Sequence, residues 1–148
     1  MKHIIPKQKP LSFNNSIEHL HNKTHEWISE IEFIKVEQDF LKELLAEHIM
    51  GLCDTNNFSK GKLYLNGINH EAILGETLIE SINDHKINLA LLIENIYIKR
   101  ENLFRDNHEF LKNEVQNYIE NFKYIKKQVF ELILFIMKKE KQQKLLAK

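Results

Sequence analysis

From Ile17 to Leu52 the apolar residues Ile17, Leu20, Ile28, Ile31, Ile34, Leu41, Leu45 and Leu52 are separated by three, four or sums of these. That spacing puts about one side chain per turn on a single helical face, whereas a strand would alternate every second residue. Trp27, Phe33, Phe40 and Leu44 widen the face, and Thr24, Gln38 and His48 interrupt it with polar groups. Asn15 with Glu18 three residues on is a capping-box pattern, in which two side chains satisfy free backbone N–H groups of a first turn. Gly51 suits a C-cap, because a residue without Cβ turns left-handed at no steric cost. These signals predict a first helix over about 16–50, roughly 50 Å long at 1.5 Å per residue.

Further on, Leu78, Ile82, His85, Leu89, Leu92, Ile96 and Leu103 have heptad-like spacing and predict a second helix over about 70–104. Asp106 and Glu109 form another capping-box pattern, so the turn into a third helix is expected to be tight and the two helices antiparallel. That third helix, over about 107–146, carries Leu111, Val115, Tyr118, Phe122, Ile125, Val129, Leu132 and Ile136 in three-four alternation. The stretch 51–69 is ambiguous. Asp54-Thr55-Asn56-Asn57 is turn chemistry, and Gly61 and Gly67 then punctuate Phe58, Leu63, Tyr64, Leu65 and Ile68. A helix starting near Asn57 would carry both glycines at about 1 kcal/mol each. A short helical turn, a break and a long helix from about 70 is the preferred reading.

Only 4 Gly and 2 Pro occur in 148 residues, too few turn formers for a β-rich domain. The expected fold is therefore all-α: an antiparallel bundle of three long helices with a short helical or irregular fourth segment, forming a single domain over 15–148. Residues 1–14 hold both prolines and little to bury, and are expected to be a flexible N-terminal arm.

Lys+Arg and Asp+Glu are 21 each, so composition does not point to nucleic acid or to an anionic membrane. The longest apolar run, Leu132 to Met137, is far short of the ~20 residues that span a bilayer. The first six residues lack the apolar core of a signal peptide, and the one cysteine, Cys53, fits a reducing compartment as an inert thiol. A soluble, cytoplasmic protein is expected. Charge is uneven along the chain. Residues 16–50 hold eight acids against three lysines, and residues 107–148 nine lysines against five glutamates, net −5 and +4. Opposite signs favour these two helices side by side, within one chain or between chains.

The 8 histidines are the main candidate chemistry. An up-down-up layout brings His19, His21 and His25 near His108 and Glu109. His21 and His25 are four apart on one helical face, with Glu18 one turn before, a spacing from which imidazoles can share a metal. His21, His25, His108 and Glu18 are thus the candidate ligands of a divalent transition metal, with no other cofactor indicated. A ferritin-like di-iron site needs two Glu-x-x-His motifs, and only Glu18-x-x-His21 is present. Glycine-rich phosphate loops, nucleophile elbows and HExxH are absent from the sequence, which leans away from an enzyme. His85, Gln38, Thr24 and His48 fall on apolar stripes, where buried polar groups find partners and fix register.

The third helix carries more apolar surface than a three-helix bundle needs. Between Val129 and Met137 only Glu131 is polar, although burying a third to a half of the circumference suffices. Phe130, Leu134, Phe135 and Met137 are the candidate interface, covered by the 51–69 segment, by a second chain as a homodimer, or by both. The expected function is that of an interaction or scaffold protein that self-associates or binds another helical protein. The alternative is a metal- or small-ligand-binding bundle using the histidines at one end.

Overall fold

The computed structural model describes residues 4–94 and 101–147, with side chains placed for 17–94 and 103–146. Among the described residues there are four helices and no strand: α1 (Ile4–Glu47), α2 (Ile49–Asp54), α3 (Phe58–Ile93) and α4 (Glu101–Ala147). The three long helices pack against one another, so the chain is an all-α helical bundle. None of the described helices is long and apolar enough to cross a membrane.

The helix ends differ from those the capping patterns suggested. α1 already runs from Ile4, so the expected arm over 1–14 overlaps its first turns and the Asn15–Glu18 pair lies inside the helix. α4 begins at Glu101, which places Asp106 and Glu109 inside it as well. α3 ends at Ile93, not near Phe104. The reason is one of magnitude. A cap contributes about 1 kcal/mol, enough to favour a start but not to impose one, and a helix once nucleated adds residues at little cost. Ile96 and Tyr97, expected in the second helix, lie outside the described residues.

The break after α1 falls at His48, and Gly51 is not its cap; it is buried inside α2, where an added Cβ would run into Ile136 Cγ2. The left-handed residue is Asn56, at φ 58°. Around it Asn57 N–H donates to the Leu52 carbonyl at 2.7 Å and Asn56 N–H to that of Cys53 at 3.2 Å. This is a Schellman closure, with asparagine in the place glycine usually takes. The Thr55 hydroxyl donates to the Gly51 carbonyl at 2.7 Å, and the Asn57 amide donates to that hydroxyl at 2.9 Å. α3 then starts at Phe58 and passes through Gly61 and Gly67, so the break expected before residue 70 does not exist. The buried stripe of α3 explains this: Gly61, Ile68, Glu71, Gly75, Ile82, His85, Leu89 and Leu92 keep one helical period across the glycines.

The helices group into two compact units. One comprises residues 1–31 and 77–116, the other 32–76 and 117–148, and α1, α3 and α4 contribute to both. In the first, Ile17, Leu89 and Leu92 form a core against which Leu20, Ile93 and Phe104 pack. In the second, the buried residues include Ile34, Leu41, Leu45, Leu52, Ile68, Phe122, Val129, Leu132 and Ile136. Directions there follow from the contacts. Tyr64 and Gly75 of α3 meet Gln128 and Tyr118 of α4, numbering in opposite senses, so these helices are antiparallel. Gln38 and His48 of the first half meet Tyr118 and Glu140 in the same order, so α1 and α4 run parallel.

Two glycines of α3 should respond oppositely to the same change. A Cβ on Gly67 meets only Ile125 Cδ1 at 3.5 Å, an ordinary contact, whereas one on Gly75 would lie 2.5 Å from Tyr118 Oη and 3.0 Å from its Cζ. Gly67→Ala is expected to stabilise by about 1 kcal/mol through helix propensity. Gly75→Ala is expected to destabilise by about 1–2 kcal/mol, because overpacking outweighs that gain. Urea unfolding of the two variants at pH 7.5 checks both signs.

Candidate functional site

Four polar groups on the apolar stripes, Thr24, Gln38, His48 and His85, find partners. Thr24 hydroxyl donates to the His21 carbonyl one turn back. Gln38 Nε2 donates to Tyr118 Oη at 3.1 Å. His48 Nδ1 lies 3.4 Å from Glu140 Oε1. The most developed group is in the first unit. There His85 of α3, 1% exposed, faces His108 of α4, 4% exposed, with Nε2 to Nδ1 at 3.0 Å. Asn107 Nδ2 lies 3.1 Å from His85 Nδ1. An amide NH₂ can only donate, so His85 Nδ1 accepts and its proton is on Nε2, which donates to His108 Nδ1. Trp27 of α1 covers the other side of His108, with ring centroids 4.5 Å apart at 32°.

This arrangement holds two neutral imidazoles. Burial lowers His85 to about 4. Burial also lowers His108 to about 4, assisted by the repulsion its protonated form would meet from His85, Lys112, His19 and Arg105. Such a pair has no free lone pair pointing at a cleft; both acceptor nitrogens are occupied. Its chemistry is that of a register lock between α3 and α4.

The expected metal ligands are not assembled into a donor set. His21 and His25 sit edge to face at 5.0 Å between ring centroids, and burial lowers the pKa of His21, aided by His25 and Lys86. His108 turns instead to Trp27 and His85, and Glu18 is exposed. Among the described residues no group of three or more His, Cys, Asp or Glu side chains is placed to hold a metal ion.

The second unit contains a buried carboxylate that the expected helix starting near residue 70 does not single out. Glu71 of α3 is 6% exposed and its Oε2 has no hydrogen-bond partner. Burial raises its pKa, opposed by the nearby His70. Tyr118 is close by: burial raises its pKa, the hydrogen bond with Gln38 opposes this, and the charges of Glu71 and Glu76 add to it. Glu71 falls on the stripe between Ile68 and Gly75. Extending the second helix back to residue 58 would have placed it in the core.

The four candidate interface residues are all at the surface, but on two sides of α4. Phe135 lies on the α3 side. It lines a shallow cleft of about 360 Å³ with Thr55, Asn57, Lys60, Tyr64 and Gln128, and the Lys139 ammonium is 5.6 Å from its ring centroid. Phe130, Leu134 and Met137 recur at i, i+4 and i+7 on the α1 side, beyond Lys126, which pairs with Glu37 of α1 at 2.7 Å. Val129, Leu132, Ile133 and Ile136 are buried between them. The α2–α3 connection therefore borders one flank of this section of α4 without covering Phe135, and both flanks present apolar side chains at the surface. Cys53 is exposed.

Two titrations follow, with opposite signs. The lowered pKa values of His85 and His108 mean that the unfolded chain takes up protons below about 6.5 that the folded chain refuses until about 4. Their contribution is complete above pH 6.5 and is lost as pH falls towards 4, at about 1.4 kcal/mol per pH unit for each proton. Urea midpoints measured from pH 7.5 to 4.5 should fall, and the double variant His85→Leu, His108→Leu should flatten that slope. Glu71 works the other way: its folded pKa is raised, so its contribution is present at low pH and lost as pH rises through that pKa. Glu71→Gln removes the charge and keeps the size, so it is expected to stabilise at pH 8 and to leave stability at pH 4 unchanged, read as urea midpoints at the two pH values.

Comparison of the chain with protein-family models, curated proteins and solved structures gave no match, so a functional reading rests on these residues alone.

Proposed function

We propose that this chain is a non-enzymatic interaction or scaffold protein that works through a helical surface and associates with itself. The observation that carries the reading is the outer surface of α1 and α4 in the second unit. Phe33 and Phe40 of α1 are 64% and 53% exposed, and Leu134 and Met137 of α4 are 55% and 50% exposed. Single exposed apolar residues are normal on any protein. Large ones recurring along two neighbouring helices are not single residues of that kind, and apolar patches rimmed by polar groups mark association sites. The polar groups that might have served chemistry are engaged elsewhere: His85, His108, Gln38 and Tyr118 bond to one another inside the bundle.

Homo-association is the simplest use of such a surface, since most soluble oligomers are closed and symmetric. A reducing, cytoplasmic setting goes with the single exposed thiol of Cys53, which has no partner in the chain to oxidise with.

Light scattering on size-exclusion peaks, with loading varied over about two orders of magnitude, tests the reading. Wild type should rise above the 17.7 kDa of one chain as concentration increases, following mass action. Phe130→Glu, at an exposed position, should keep the helical circular-dichroism signal and remain at one chain's mass. A wild-type mass that stays at one chain throughout would sink the proposal.

A further inference from the structure

The Glu37–Lys126 ion pair marks where α1 and α4 meet in the second unit. At about 100° per residue, Phe33, Val36, Phe40, Leu44 and Glu47 of α1 lie roughly 20–100° beyond Glu37, on the side away from the core stripe. Lys123, Lys127, Phe130, Leu134, Met137 and Lys141 of α4 lie roughly 20–100° beyond Lys126 on the corresponding side. The two series repeat one another. Phe33, Phe40, Leu44 and Glu47 follow in steps of seven, four and three, and so do Lys123, Phe130, Leu134 and Met137, each 90 positions further on. Glu37 and Lys126 are 89 positions apart, His48 and Glu140 92. Each outer pair therefore stands close to one level along the two parallel helices of a chain. Across the core the offset is shorter, 80 for the long side chains of Gln38 and Tyr118.

Symmetry and charge then select one way for this flank to meet itself. Two copies placed face to face are related by a two-fold axis lying in the contact plane. An axis across the helices reverses their direction and sets α1 on α1 and α4 on α4. An axis along the helices keeps their direction and sets α1 of each copy on α4 of the other. Residues 32–47 of α1 hold five acids against two lysines, and residues 117–147 of α4 hold seven lysines against three glutamates, net −3 and +4. On the flank itself α1 carries Glu47 and no lysine, and α4 carries Lys123, Lys127 and Lys141 and no acid. The axis across the helices therefore opposes like charges twice, and the axis along them opposes unlike charges twice. In the second case the four helices alternate in sign around the axis, with like helices only on the diagonals. That axis also leaves no choice of register, because it keeps every residue at its own level. The partner's α4 then offers α1 the residues that match it at 90 positions on.

We infer that a second copy of this chain docks on this flank about a two-fold axis running along the helices, with α1 of each copy parallel to α4 of the other. Phe40 and Phe130 of both copies form one layer around the axis, and Leu44 and Leu134 the next, four side chains to a layer as in the core of a four-helix bundle. Phe33 covers the alkyl stem of Lys123 at one end. Glu47 comes within reach of Lys141 at the other. Among the described residues neither Glu47 nor Lys141 makes an ion pair within its own chain. The inference rests on the self-association reading above and names the surface and the axis that perform it.

A charge swap tests the axis apart from association itself. Dimer dissociation constants are measured by analytical ultracentrifugation for wild type, Glu47→Lys, Lys141→Glu and the double variant, with circular dichroism as the control for folding. Both positions are exposed, so the fold should hold in all four. With the axis along the helices, each single swap puts like charges together at two symmetry-related places and should weaken the dimer about tenfold at low salt. The double variant restores opposite charges and should return to within about threefold of wild type. With the axis across the helices the sign reverses: either single swap relieves repulsion between like helices and tightens the dimer. Single swaps that tighten the dimer or leave it unchanged, or a double variant as weak as the singles, overturn the inference and leave self-association in place. A wild-type chain that stays monomeric to about 1 mM overturns both. Phe135→Glu, on the other flank of α4, should dimerise as tightly as wild type; a folded but monomeric Phe135→Glu moves the interface to the α3 side and overturns this one.

Discussion

A polar atom taken out of water into a helical core has to be answered by another polar atom at the same level, and in this chain that requirement fixes how the helices slide against one another. Apolar side chains alone tolerate a shift of one heptad, because leucine or isoleucine stands at nearly every step of each stripe. The polar ones do not. Moving α4 by seven residues along α1 would leave the Gln38 amide without Tyr118 Oη. The same slip against α3 would separate His85 from His108 and leave a donor and an acceptor buried without partners. Each orphaned group costs about 1–3 kcal/mol, a large fraction of the stability of a domain this size. The two pairs lie in different units, so each unit has its own lock.

This division explains which parts of the fold could be read from the sequence. The three-four period of Ile31, Ile34, Leu41 and Leu45, and of Leu111, Val115, Tyr118 and Phe122, is a property of the helix itself and was legible directly. So was the expectation that Thr24, Gln38, His48 and His85 would find partners. Helix ends were not, because they depend on small local terms. Asn15 and Asp106 have good capping side chains inside helices that continue past them, and Gly51 sits mid-helix because it faces Ile136. Starting the second helix at residue 70 then hid Glu71, whose burial is visible only when the stripe is traced back through Ile68.

The histidines show the same limit for the site. A four-residue spacing says that His21 and His25 share a face, but not that His108 points toward them. The aromatic face of Trp27 and the proton of His85 Nε2 were both available to His108, and it took those. A neutral imidazole that is buried, stacked and bonded gains more from such neighbours than from remaining open at a surface. The interface residues were half legible. Excess apolar surface on α4 could be counted, but Phe135 and Phe130 part to opposite flanks only once Gln128 is tied to Tyr64 and Lys126 to Glu37.

The inside and the outside of the second unit bear on one argument. Its core holds a carboxylate with an unanswered oxygen, and its surface holds phenylalanine, leucine and methionine in contact with water. Both lower the stability of the isolated chain below what its period allows: Glu71 by burying an oxygen without a hydrogen-bond partner, the outer residues by forgoing burial worth about 25 cal/mol per Å². In the self-association proposed above, a second copy docked on that surface would recover the second loss and leave the first. Because docking requires α1 and α4 to be folded and side by side, it favours the folded state by mass action. On that proposal folding and association of the second unit are linked equilibria, and substitutions at Glu71 and at Phe130 act on the same free energy.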